Sequence, residues 1–179
     1  MAKQAIKKAF QDAQNLRPKY PLDSGEYKLC ETRWKLSRMQ ETMYQIGEYL
    51  KNPSHFYKGQ ILGHCCTTDD KAVWIKSIPA KVADLLGYNI LPAIAALTNN
   101  GLSKRDTNRT LDIANGMAKT LLKDCERQEA RLKGGISVEY DEMKTGYSEV
   151  HGLLVDADRI AEDVLQALEY ASKKSLAPA

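Results

Sequence analysis

The chain has 179 residues, 43% of them hydrophobic and 27% charged. This composition argues against disorder, and the length suffices to bury roughly 70% of the surface the unfolded chain exposes without any disulfide staple. The net charge of +3 is too small to imply nucleic acid by itself, but it is unevenly placed: residues 1–136 carry 22 basic and 14 acidic side chains, residues 137–171 carry 2 and 9.

The chain opens on Met1-Ala2-Lys3-Gln4 and then a charged amphipathic pattern, not the apolar core of a signal peptide. No stretch in the sequence approaches the roughly 20 apolar residues of a membrane span. These features predict one cytoplasmic helical domain over residues 1–179 and no membrane partner. The first helix is expected from about Ala2 to Leu16, with Ile6, Ala9, Phe10, Ala13 and Leu16 on one face and Lys3, Lys7 and Lys8 toward water. Arg17-Pro18 stops it. Asp23, followed three residues later by Glu26, has the form of a capping box for the next helix.

That second helix carries the clearest signal in the chain. Leu29, Leu36, Met43 and Leu50 recur every seven residues, with Thr32, Met39 and Ile46 between them at heptad spacing. Asn52-Pro53 ends the pattern. Residues 53–70 are the least regular stretch, and Thr67-Thr68-Asp69-Asp70 is placed to cap a short helix through Ile78, with a strand over Ala72–Ile78 as the alternative. Pro79 to Leu86 reads as a further short helix ended by Gly87. The run Ile90 to Leu97, apolar on nearly every side, reads as a buried helix.

Ser103 and Asp106 open a helix of about 30 residues, about 45 Å long at the usual rise, which closes at Gly134-Gly135. Its seam is Leu111, Ala114, Ala118, Leu121, Cys125 and Leu132. Residues 136–147 are open to strand or helix. The last helix is expected from about Ser148 to Lys174, with Leu153, Ala157, Ile160, Val164, Ala167 and Ala171 on its inner side. The fold class that follows is all-α, a bundle of three to four long helices with a shorter helical hairpin inserted near residues 79–98.

Between Pro79 and Leu102 the sequence PAKVADLLGYNILPAIAALTNNGL places Ala83, Gly87 and Gly101-Leu102 at the marks of a helix-turn-helix. It resembles that motif of small phage and plasmid regulators. The resemblance covers 24 residues and implies a DNA-reading second helix. That helix would offer Asn89 and then Ile90, Leu91, Pro92, Ala93 and Ile94, which gives base edges little to pair with. A buried helical hairpin is the competing reading of the same residues.

Basic groups elsewhere keep nucleic acid in view: Lys3, Lys7, Lys8, Arg17 and Lys19 near the amino end, and Lys104, Arg105 and Arg109 at the start of the long helix. Cations at a helix amino end oppose its dipole and call for an anion there, either phosphate or the acidic carboxy-terminal third. His55, His64, Cys65, Cys66 and Asp69 are ligand types, but adjacent cysteines converge poorly on one tetrahedral ion. Cys30 and Cys125 lie beside or on a core position, so the cysteines read as reduced thiols. Glu139, Asp141 and Glu142 read as a solvated acidic face.

The sequence has no glycine-rich phosphate loop with its lysine, no serine elbow and no Glu-x-x-His pair. The expectation is a non-enzymatic interaction or assembly protein, without cofactor or metal, associating with itself or with a helical protein partner. Its rival is a nucleic-acid-binding accessory or regulatory protein of a phage or mobile element. A third reading is an enzyme centred on the His64-Cys65-Cys66 loop.

Overall fold

The computed structural model describes residues 2–16, 19–51, 68–99, 105–134 and 140–175. All of its long elements are helices: α1 (Ala2–Leu16), α2 (Gly25–Lys51), α3 (Thr68–Leu85), a π-helical turn (Leu86–Ile90), α4 (Leu91–Asn99), α5 (Arg105–Lys133) and α6 (Tyr140–Ser175). Among the described residues there is no strand, so the strand alternative at Ala72–Ile78 falls away and the all-α bundle stands.

The three heptad seams bury as their spacing requires. Leu29, Thr32, Leu36, Met39, Met43, Ile46 and Leu50 of α2 are all buried, as are Leu111, Ala114, Ala118, Leu121, Cys125 and Leu132 of α5. On α6 the buried side is Leu153, Ala157, Ile160, Val164, Ala167 and Ala171, widened by Val150, Leu154, Ala161 and Leu165. A stripe this wide lets α6 face several neighbours. It packs against α2, α5 and α3; α3 also meets α5 and, less extensively, α2, while α1 packs on α2. The four rods therefore run around the core in the order α2, α6, α5, α3, which puts the α2–α3 side opposite the α5–α6 side.

Side-chain pairs fix the directions. Gly25 lies against Leu168 and Gly47 against Tyr147, so α2 and α6 are antiparallel. Thr107 and Thr110 share a cleft with Ala167 and Tyr170, while Arg131 pairs with Glu149, so α5 and α6 are antiparallel too.

Three local expectations are corrected. The cap of α2 is Ser24 rather than Asp23: its hydroxyl accepts the Tyr27 amide at 3.1 Å, and its carbonyl accepts the Lys28 amide. The last helix starts at Tyr140, eight residues before Ser148. Most consequentially, residues 79–98 make no hairpin. Pro79 lies inside α3, and the chain runs helically through Gly87, since Leu85 and Leu91 on either side of the π turn are both right-handed helical.

The π turn has a local cause. Pro92 supplies no amide, and its ring would crowd a carbonyl one turn back. Within the turn the Leu91 amide reaches the Leu86 carbonyl, a five-residue step that widens the helix just before the proline. The widened turn also aims Asn89 at α2, where its amide donates to the Thr32 hydroxyl at 2.8 Å. Thr32 in turn donates to the Lys28 carbonyl at 2.7 Å.

Candidate functional site

Nucleic-acid reading by a helix-turn-helix needs a corner at Gly87 and a second helix with a free polar face. The corner is absent, and Asn89, the one polar group at the start of the candidate reading helix, is committed to Thr32. The remaining basic residues split between the two ends of the bundle. Ile6 shares a cleft with Leu50, Lys51 and Lys144, so exposed Lys7 and Lys8 lie toward the carboxyl end of α2. Exposed Lys19 and Arg105 with Arg109 lie at the other end, because Tyr20 donates to Glu169 and Thr107 sits beside Tyr170. The side chains of Lys3, Arg17 and Lys104 lie outside the described residues, as do His55, His64, Cys65, Cys66, Asp69 and the Glu139, Asp141 and Glu142 group.

The acidic helix α6 uses part of its charge internally. Arg33 of α2 reaches Asp158 at 3.2 Å and Glu162 at 3.6 Å, and Arg131 of α5 pairs with Glu149. Burial raises the Asp158 carboxyl above its usual range although the Arg33 guanidinium pulls the other way. Asp163, also raised by burial, lines the cleft beside Thr107 and Thr110 near the α5 amino end.

Among the described residues no group of three or more His, Cys, Asp and Glu side chains is placed to hold a metal. Cys125 is buried, which pushes its thiol up to about 12, with Asp124 and Glu126 adding to the shift. Cys30 is buried as well. A thiol held protonated is a core side chain and a poor nucleophile.

A cavity of about 360 Å³, mostly apolar in its lining, lies where α1, α2 and α6 meet, lined in part by Tyr44, Gly47, Lys144, Tyr147 and His151. The Tyr147 and His151 rings stack 5.7 Å apart at 24°. Burial raises Tyr147 and lowers His151, which keeps both neutral near pH 7.

Two grooves on opposite sides of the bundle have the makings of contact surfaces. Between α2 and α3, about 410 Å³ is lined by Trp34, Lys35, Arg38, Met39, Lys81, Asp84 and Leu85. Two of its cations also cover the tryptophans of the chain: Arg38 lies 5.6 Å from the Trp34 ring in the groove, and the Lys81 ammonium 4.4 Å from Trp74 outside it. Between α5 and α6, about 450 Å³ is lined by Asp112, Ile113, Gly116, Met117, Thr120, Leu121, Asp124, Asp156 and Ile160. Ile113 and Met117 are 54% and 40% exposed one turn apart on α5.

The α4 run is only half covered. Ile90, Ala93, Ile94 and Leu97 are buried, while Pro92, Ala95 and Ala96 face water and Tyr88 is 78% exposed. The expectation of a wholly buried helix is corrected accordingly. With α3 it makes a stretch, Ala72–Asn99, that is long and apolar enough to cross a membrane by length and composition alone, which corrects the expectation of no such run. Its apolar inner face packs in the common core, and Lys76, Lys81 and Asp84 break its outer face.

Neither groove follows from the sequence alone. Trp34 with Arg38 and Ile113 with Met117 are both four apart, a spacing that shares a helix face. That spacing was legible; which face the bundle leaves open was not. The fold and these surfaces define an all-α helix-bundle protein with apolar side chains on its outer faces. Comparison with protein families, with curated proteins and with solved structures finds no match.

Proposed function

We propose that this protein is a non-enzymatic interaction and assembly module whose copies associate through outward helical faces. One observation carries the reading: Tyr88, Ile113 and Met117 stand exposed on ordered helices whose inner seams are already fully buried. Large apolar groups beyond the needs of the core mark contact surfaces when they cluster with a polar rim. The α5–α6 groove has that form, with Asp112, Asp124 and Asp156 around Ile113 and Met117.

Native mass by light scattering over a dilution series tests the reading, at low and high salt and with or without a generic duplex. Association driven by apolar contact persists in high salt, whereas binding to a duplex falls steeply as counterions compete. A species heavier than the monomer in both salts supports assembly. A monomer at every concentration refutes it, and a monomer that binds the duplex favours the nucleic-acid rival through Lys19, Arg105 and Arg109.

A further inference from the structure

The two grooves differ in charge. The α2–α3 groove has an apolar floor of Met39 and Leu85, the Trp34 ring as a wall, and Lys35, Arg38 and Lys81 on its rim, with Asp84 as its one acid. Lys35 comes within 4.0 Å of Glu31 on its own helix. The α5–α6 groove has Leu121 and Ile160 as its floor, the exposed Ile113 and Met117 as its apolar rim, and Asp112, Asp124 and Asp156 around them. Asp124 also meets Arg127 at 3.4 Å, and Lys119 and Lys123 are exposed on the neighbouring stripe of α5.

The grooves also share a level along the bundle. Arg33 on α2 meets Asp158 on α6, so the stretch Trp34 to Met39 stands level with Leu154 to Ile160. Because the helices run around the core in the order α2, α6, α5, α3, the basic groove and the acidic groove point in opposite directions.

We infer that copies of this chain join head to tail, with Ile113 and Met117 of one copy seated over Trp34, Met39 and Leu85 of the next, and Asp112, Asp124 and Asp156 facing Lys35, Arg38 and Lys81. The inference rests on the self-association proposed above and specifies its geometry. Opposite charge on opposite sides favours this pairing over a two-fold one, in which like rims would meet. A head-to-tail contact is heterologous, so it leaves a free groove at each end and extends beyond a dimer into a ring or an open series.

Complementation tests it. Arg38→Glu/Lys81→Glu spoils the receiving groove and leaves the α5 ridge intact; Ile113→Glu/Met117→Glu does the reverse. All four positions are exposed. Circular dichroism verifies that each variant stays helical; if the second loses helicity, Ile113→Ser/Met117→Ser replaces it. The expected result in sedimentation velocity is a wild type larger than a dimer, two monomeric variants, and a one-to-one heterodimer and nothing larger on mixing them. If the wild type associates but the mixture stays monomeric, or if either variant alone associates like the wild type, the head-to-tail geometry is wrong while self-association stands. A wild type that is monomeric throughout overturns the self-association reading, and this one with it.

Discussion

The Tyr147 side chain lies directly over the backbone of Gly47, so close that a Cβ built on that glycine would come within 2.5 Å of the tyrosine hydroxyl. The absence of a side chain there is what lets α2 and α6 meet beside the cavity. Alanine in place of glycine in a helix is favourable by roughly 1 kcal/mol, and overpacking costs about 1–3 kcal/mol. Gly47→Ala is therefore expected to destabilise the wild type by about 1 kcal/mol in urea unfolding. In a Tyr147→Ala background the same change is expected to stabilise. Equal effects in both backgrounds would show that the contact does not govern the approach.

Arg33 bridges α2 to α6 through Asp158, with both side chains largely buried. Removing the cation strands a buried carboxylate, whereas replacing both charges with apolar groups removes the desolvation cost as well. Arg33→Met alone is expected to cost about 2–3 kcal/mol, and Arg33→Met/Asp158→Leu to recover most of that loss. Chemical denaturation of the four proteins in the cycle checks it; a double variant no more stable than the single would contradict the role assigned to burial.

Ser24 and Asp23 make the capping assignment testable. The structure gives the cap to Ser24, whose hydroxyl accepts the Tyr27 amide. Ser24→Ala is expected to lower stability by about 1 kcal/mol and Asp23→Ala to leave it nearly unchanged. Thermal unfolding separates them, and the reverse order would restore Asp23 as the cap.

His151 links the cavity to pH. Burial lowers its pKa below the ordinary 6.5, so the unfolded chain binds the proton more readily. Stability then rises with pH up to that ordinary value, and this contribution falls away as the solution is acidified through 6.5. His151→Phe is expected to flatten that segment of the stability profile. A profile with the same slope in both proteins would place the relevant titration elsewhere.

The seams were legible because heptad spacing is a direct record of which side of a helix is buried. Every residue named on the α2, α5 and α6 stripes proved buried. Pro79 and Gly87 mislead because each, taken locally, marks a helix boundary. Packing of Ile75, Ile78, Val82, Leu86 and Ile90 into the shared core instead holds one helical run through both, with a π turn ahead of Pro92. Propensity is a weak signal where tertiary burial opposes it. The grooves were hidden for a different reason: Trp34 and Leu85, or Met117 and Asp156, come from distant parts of the chain, and no spacing in the sequence reports their meeting.

Hydrogen exchange measured at low and high protein concentration tests the central claim, that outward helical faces carry the association. Peptides spanning residues 31–39, 81–96 and 109–124 are expected to gain protection as concentration rises, with the buried seams of α2 and α6 unchanged beyond that stretch. Protection independent of concentration everywhere, or a change confined to other surfaces, would contradict it.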